Sequence, residues 1–140
     1  AHTREARQVL GPEPFLAVEQ AVLFDEQARR ARALARDHLA GYVHSPFNRA
    51  KFRHLGSSEE ELAGGDRFVD DLVAWGSLAH IAERVRAHFE AGADHVALQV
   101  LIGEGTASLE EQWERLAKAL MVEGAATAGR RDRDSREQTG

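Results

Sequence analysis

The densest run of chemically capable side chains in the sequence is Tyr42, His44, Asn48, Arg49 and Arg53. Arg49 can hold a carboxylate or a phosphate through the planar fork of its guanidinium, against the plainer role of a solvated helix face. A second candidate is Gly76-Ser77, which stands immediately before an amphipathic stretch. Free backbone amides and the positive end of a helix dipole would meet there, an arrangement that suits an anion or simple capping by the serine. "IGEGT", residues 102–106, offers a glycine loop whose amides can face an anionic group, although Glu104 would repel phosphate and a plain turn accounts for the same residues. Asp25 reads as a helix N-cap in preference to a ligand contact.

Other chemistries are poorly served. The seven histidines form no HExxH pair: His38 and His44 are six apart, and His80 and His88 eight apart. No cysteine is present, so thiolate nucleophiles, disulfides and zinc–thiolate sites are excluded, and no metal site is expected. His95 opens a strand, where a structural hydrogen bond is the default, and Trp75 and Trp113 read as core or interface residues. Sequence spacing proposes no Ser-His-Asp arrangement, and catalytic residues stay unassigned.

These candidates must be positioned by a chain of 140 residues, long enough for one domain with a core, with 43% hydrophobic content. Thr3 caps a short helix through Leu10 that Gly11 and two prolines end. Phe15 to Phe24 reads as a strand, and Asp25 starts a long helix that buries Ala28, Ala31, Leu34, Ala35, His38 and Leu39 and ends at Gly41. Ser45-Pro46 turns the chain into a short helix carrying Phe47, Phe52 and Leu55, and Ser57 opens a capping box. Gly64-Gly65 breaks again. Phe68, Val69, Leu72 and Val73 have helical spacing, so the segment up to Trp75 is expected to contain no strand.

Ser77 caps the clearest helix, with Leu78, Ile81, Ala82, Val85 and Phe89 in one stripe and Gly92 as its stop. His95 to Ile102 reads as a second strand, apolar enough to be covered on both faces. Ser108 caps a last helix to about Met121, with Leu109, Trp113, Leu116 and Leu120 inward. Residues 122–140 form a mixed-charge tail expected to be disordered. Two strands joined through helices imply a right-handed parallel crossover, with an unpaired edge left on each strand.

A net charge of −5 and a pI near 5.8, without a basic stripe, exclude a nucleic-acid surface as the expected partner. Only Lys51 and Lys118 are lysines among the 18 basic residues, a bias that base composition explains as readily as selection. No apolar run approaches the roughly 18–20 residues that a bilayer requires, so no membrane association is expected and a cytoplasmic location fits. "AHTREARQVL" has no initiator methionine and reads as the inside of a helix, leaving a processed or truncated chain open.

Three stretches, "LGPEPFLAVEQAVLF", "LAGGDRFVDDLVAWGSLAHIAERVRAHFEAGADHVALQVL" and "QWERLAKAL", carry a resemblance. From Thr3 to about Leu120 the chain resembles the C-terminal part of luciferase-like oxidoreductases, in particular the branch that uses the deazaflavin coenzyme F-420. The resemblance implies part of a (β/α)8 TIM barrel within 1–121, with Phe15–Phe24 as the seventh strand, His95–Leu101 as the eighth and 41–75 as a helical insertion bordering the active site. It implies hydride transfer between F-420 and a small organic substrate, with Gly76 and Ser77 toward the cofactor and Tyr42 and Arg49 toward the substrate. An FMN-dependent monooxygenase of the same fold is the enzymatic alternative, and a non-catalytic association module the alternative of another class. Because strands one to six have no counterpart here, the expected partner is the missing barrel half or a second copy in a homo-oligomer.

Overall fold

The computed structural model describes residues 2–103 and 107–121, which fall into two compact units divided after Thr106. The first unit runs α1 (His2–Leu10), β1 (Ala17–Leu23), α2 (Ala28–His44), α3 (Pro46–His54), α4 (Glu59–Leu62), α5 (Asp66–Leu72), β2 (Val73–Trp75), α6 (Leu78–Glu90) and β3 (His95–Val100). The second contains a helix over 109–121, opened by a capping box in which Ser108 and Glu111 each bond the other's backbone N–H. The expected tail, 122–140, lies outside the described residues, as do Glu104 to Thr106 of the glycine loop.

The sheet is mixed with helices and entirely parallel, in the order β2-β1-β3. β1 is therefore central: Ala21–Leu23 pair with Val73–Trp75 on one side, and Ala17–Val22 pair with His95–Val100 on the other. This corrects the expectation of two strands. The helical spacing of Phe68, Val69 and Leu72 is real, but it stops at Leu72, and Val73 turns extended because β1 offers it a partner. Both edges of β1 are thus used at Ala21 and Val22.

Side-chain alternation sorts the sheet into two faces. Gln20 reaches His88 of α6, so the face carrying Gln20 and Val22 looks toward that helix, whose Ile81, Ala82 and Val85 are buried. On the opposite face Leu23 and Val73 join one core with Ala31, Ala35, Leu39 and Val43 of α2 and with Phe52, Leu62, Phe68 and Val69. Phe52 meets Phe68 edge to face at 5.1 Å between ring centroids. That helical layer covers only the carboxyl half of the face. Ala17, Glu19, His95, Ala97 and Gln99 of the same face are exposed, so β3 is not covered on both sides as its apolar sequence suggested.

Several local expectations shift. α2 continues through Gly41 to His44, because an interior glycine costs a helix only about 1 kcal/mol, whereas Ser45, which precedes a proline, is driven out of the helical region. Within α2, Ala28 and His38 are exposed and Val43 is buried. The capping box belongs to Ser58 with Glu61, one residue beyond the expected serine. Phe89, Leu109 and Trp113 are exposed where the helical stripes had placed them inward, and of the residues on the short helix Phe52 is buried while Phe47 and Leu55 are exposed.

Arg7 ties the first turn of the fold to its end. It donates to the carbonyls of Gly92 at 2.8 Å and Pro14 at 2.7 Å, and to Asp94 at 2.5 Å. Gly92 has φ +99, and a Cβ there would lie 2.8 Å from the Arg7 side chain, so both the turn and the clamp require glycine. Asp94 also accepts the Leu16 N–H; that bond and then Arg7 hold its carboxyl below the ordinary range.

Candidate functional site

In open parallel sheets the carboxyl ends of the strands are where ligands meet backbone and side chains together. Here an open cleft of about 520 Å³ lies at that end of β2, lined by Val73, Trp75, Gly76 and Ser77, by His80 and Arg84 from α6, and by Asp70 and Glu26. The sequence builds it economically. Gly76 takes φ +120, inaccessible to most side chains, and sends its N–H to the Leu23 carbonyl at 3.0 Å. That bond fixes the start of α6 against β1. Ser77 then caps the helix by accepting the His80 N–H at 3.2 Å.

Two consequences bear on ligand binding. The Gly76 amide is already committed to β1, so an anion here would meet the next amides of the helix and not that one. The Ser77 oxygen is used as an acceptor, but its hydroxyl proton can still donate outward.

Asp70 forms the opposite wall. It accepts from Arg32 through two nitrogens, at 3.0 and 2.6 Å, and from the indole N–H of Trp75 at 2.7 Å. Arg32 also lies over the Trp75 ring, 5.3 Å from its centroid. The Arg32 fork is the main reason the Asp70 carboxyl lies below its ordinary value; burial opposes it and the indole N–H adds to it. Arg84 donates to the carbonyls of Asp70 and Asp71, closing the carboxyl end of α5. His80 and Arg84 are four apart and share a helix face. The cleft therefore offers a fixed carboxylate, an indole edge, an imidazole and a helix start, enough to bind and orient a polar ligand.

The structure brings Gly76 and Ser77 together in this cleft. It does not bring Tyr42 or Arg49 there. Arg49 lines a second cleft between α2 and the α3–α5 segment, while Tyr42, half exposed, packs against Phe52 at 6.2 Å and lies outside both. His44 bonds the Ala40 carbonyl, Asn48 bonds that of Tyr42, and Arg53 pairs with Glu59.

Asp25 is not the N-cap of α2, a position held by Gln27 without a side-chain bond. Its buried carboxylate accepts the Gln27 N–H at 2.9 Å and the guanidinium of Arg30. The Arg30 bond, more than the Gln27 amide, holds its pKa low against the effect of burial. With both oxygens engaged, it has little left for a ligand. His95 stacks on Phe15 at 6.4 Å between ring centroids. Asp70, Glu26, His80 and Arg84 are the cleft residues that sequence reasoning missed; the i, i+4 spacing of His80 and Arg84 behind the Ser77 cap was the available signal.

Among the described residues no three His, Asp or Glu side chains gather as a metal site, and no helix is long and apolar enough to cross a membrane. The fold and cleft define the class: a parallel α/β unit with a cleft at its strand ends, apolar over much of its wall and carrying a few fixed polar groups. No family model, no curated protein and no solved structure matches the chain.

Proposed function

We propose that the chain is the C-terminal part of a luciferase-like oxidoreductase and that its first cleft receives the anionic portion of deazaflavin coenzyme F-420. The observation that supports this reading is the placing of Gly76 and Ser77, at the start of α6, on the cleft at the carboxyl end of a parallel sheet. The chemistry would reside in the cofactor, which when bound exchanges a hydride with a small organic substrate. The chain's own part would be binding: the first amides of α6 and the Ser77 hydroxyl facing the anion, with Trp75 as an apolar wall. The exposed half-face of the sheet, Ala17, Glu19, His95, Ala97 and Gln99, supports a further part of this reading, that remaining barrel strands or a second copy cover it. A cytoplasmic location belongs to the same proposal.

Titration of the chain with F-420, followed by Trp75 fluorescence and by amide shifts of residues 76–80, tests it. Weak saturable binding with shifts centred on those amides is the expected result, and FMN should bind less well. Absence of any response up to millimolar F-420 would sink the assignment. A submicromolar constant, roughly 8 kcal/mol or more of binding free energy, would place more of the cofactor site in this chain than proposed. Light scattering should show self-association; a stable monomer that unfolds cooperatively would count against an open barrel segment.

A further inference from the structure

The second cleft, about 370 Å³, lies between α2 and the α3–α5 segment. Its floor is apolar, made by Leu39 and Val43 of α2 with Leu62 and Phe68 across from them. Its rim carries two guanidinium groups. Arg36 is committed to the Gly64 carbonyl at 2.7 Å and to Asp66. Among the described residues Arg49 holds a single bond, from one terminal nitrogen to Glu59 at 2.6 Å, which leaves most of its fork unengaged by them.

Glu59 is the informative residue. It is held by both Arg53 and Arg49, in that order of influence, and its pKa is lowered to about 2. Its side chain is 61% exposed, so the bond to Arg49 is a surface ion pair and weak. A ligand carboxylate that displaced it from Arg49 would leave Glu59 paired with Arg53 at 2.5 Å. The exchange strands no charge. Asp37, also on the rim, disfavours a second negative charge on the ligand.

We propose that this cleft is a binding site for a small amphipathic monoanion, its apolar tail over Leu39, Val43, Leu62 and Phe68 and its carboxylate on the fork of Arg49. The volume lies at the lower end of small-molecule sites, which limits the tail to a short or medium chain. The site involves neither Gly76 nor Ser77, so its test is separate from that of the cofactor cleft.

Octanoate and octanol, of equal tail length, are the probes, titrated into the full chain under amide-resolved NMR. Octanoate should shift amides within 36–49 and 62–69 and bind about threefold or more tighter than octanol, the worth of a partly exposed ion pair. Arg49→Gln should reduce octanoate to the octanol level. Glu59→Gln, which frees Arg49 without touching the apolar floor, should tighten octanoate and leave octanol unchanged. Equal affinity for the two probes, indifference to both substitutions, or shifts outside these segments would each overturn the proposal.

Discussion

The two helical layers of the sheet are built on opposite plans. α6 is a single amphipathic helix with a serine cap, a buried stripe of Ile81, Ala82 and Val85 and a glycine stop. In the other layer the long α2 is followed by the short α3, α4 and α5, which share a core with it and are also stitched by arginine: Arg32 to Asp66 and Asp70, Arg36 to Asp66, Arg49 and Arg53 to Glu59. The first layer is announced by local signals, whereas the second is joined in part by ion pairs spanning 30 residues or more, from Arg36 to Asp66 and from Arg32 to Asp70. Both clefts open beside the stitched layer, where fixed charges and irregular backbone meet.

The comparison breaks first in the cores. Ile81→Ala should cost about 2–5 kcal/mol and Phe52→Ala about 3–5 kcal/mol in chemical denaturation. If the stitched layer opens by itself, amides of Gly41 to Gly65 will exchange faster than those of Ala79 to Leu101, and Phe52→Ala will widen the gap. Equal exchange would mean one cooperative unit. The next effect is Asp25→Ala, expected to cost about 1–3 kcal/mol through the lost amide and guanidinium bonds, read as a lower denaturation midpoint.

Acid separates the layers by a smaller amount. Gln20 donates to the carbonyls of Ala21 and Leu72, which turns its own oxygen toward Nε2 of His88 at 2.9 Å. Nε2 must then carry the proton, and Nδ1 accepts from Thr3 at 2.8 Å. Burial first, and Arg84 second, lower the His88 pKa, so the folded state holds the neutral ring. That stabilisation is complete above the unfolded value, near 6.5, and is lost as pH falls through the lowered folded value. Asp25 and Asp70, both lowered, protect the stitched layer until pH drops below the ordinary carboxylate range, about 3.9. Denaturation midpoints measured from pH 7 to 3 should therefore fall in two stages, and His88→Gln should remove the earlier one. The smallest effect is Arg53→Ala: an exposed pair is screened by water, and the midpoint should barely move at 0.5 M salt.

This contrast also governs how much could be read from the sequence. Ser77, the Ile81–Val85 stripe and Gly92 announce α6 because caps, periodicity and stops are local. Gly76 and Ser77 were legible as a helix start for the same reason, and they do line the first cleft. β2 was not legible: Val73 continues the helical spacing of Phe68, Val69 and Leu72, and only pairing with Ala21, far away in sequence, makes it a strand. Asp70 was hidden likewise, since its partners Arg32 and Trp75 come from another helix and from the unrecognised strand. Tyr42 and Arg49, close in sequence, face different surroundings because they lie on separate helices.

Parallel pairing of β1 also sets a timetable for synthesis. Ala21 pairs with Val73, and Ala17 with His95. At roughly 5–20 residues per second, a ribosome delivers those partners several seconds after β1 has emerged. For that interval "AVEQAVL" is a nascent strand still waiting for β2 and β3, and within the described residues α2 is the first element after it able to shelter Leu23. Glu19 and Gln20, which look like interruptions of the strand, are what keep it from a purely apolar run while it waits.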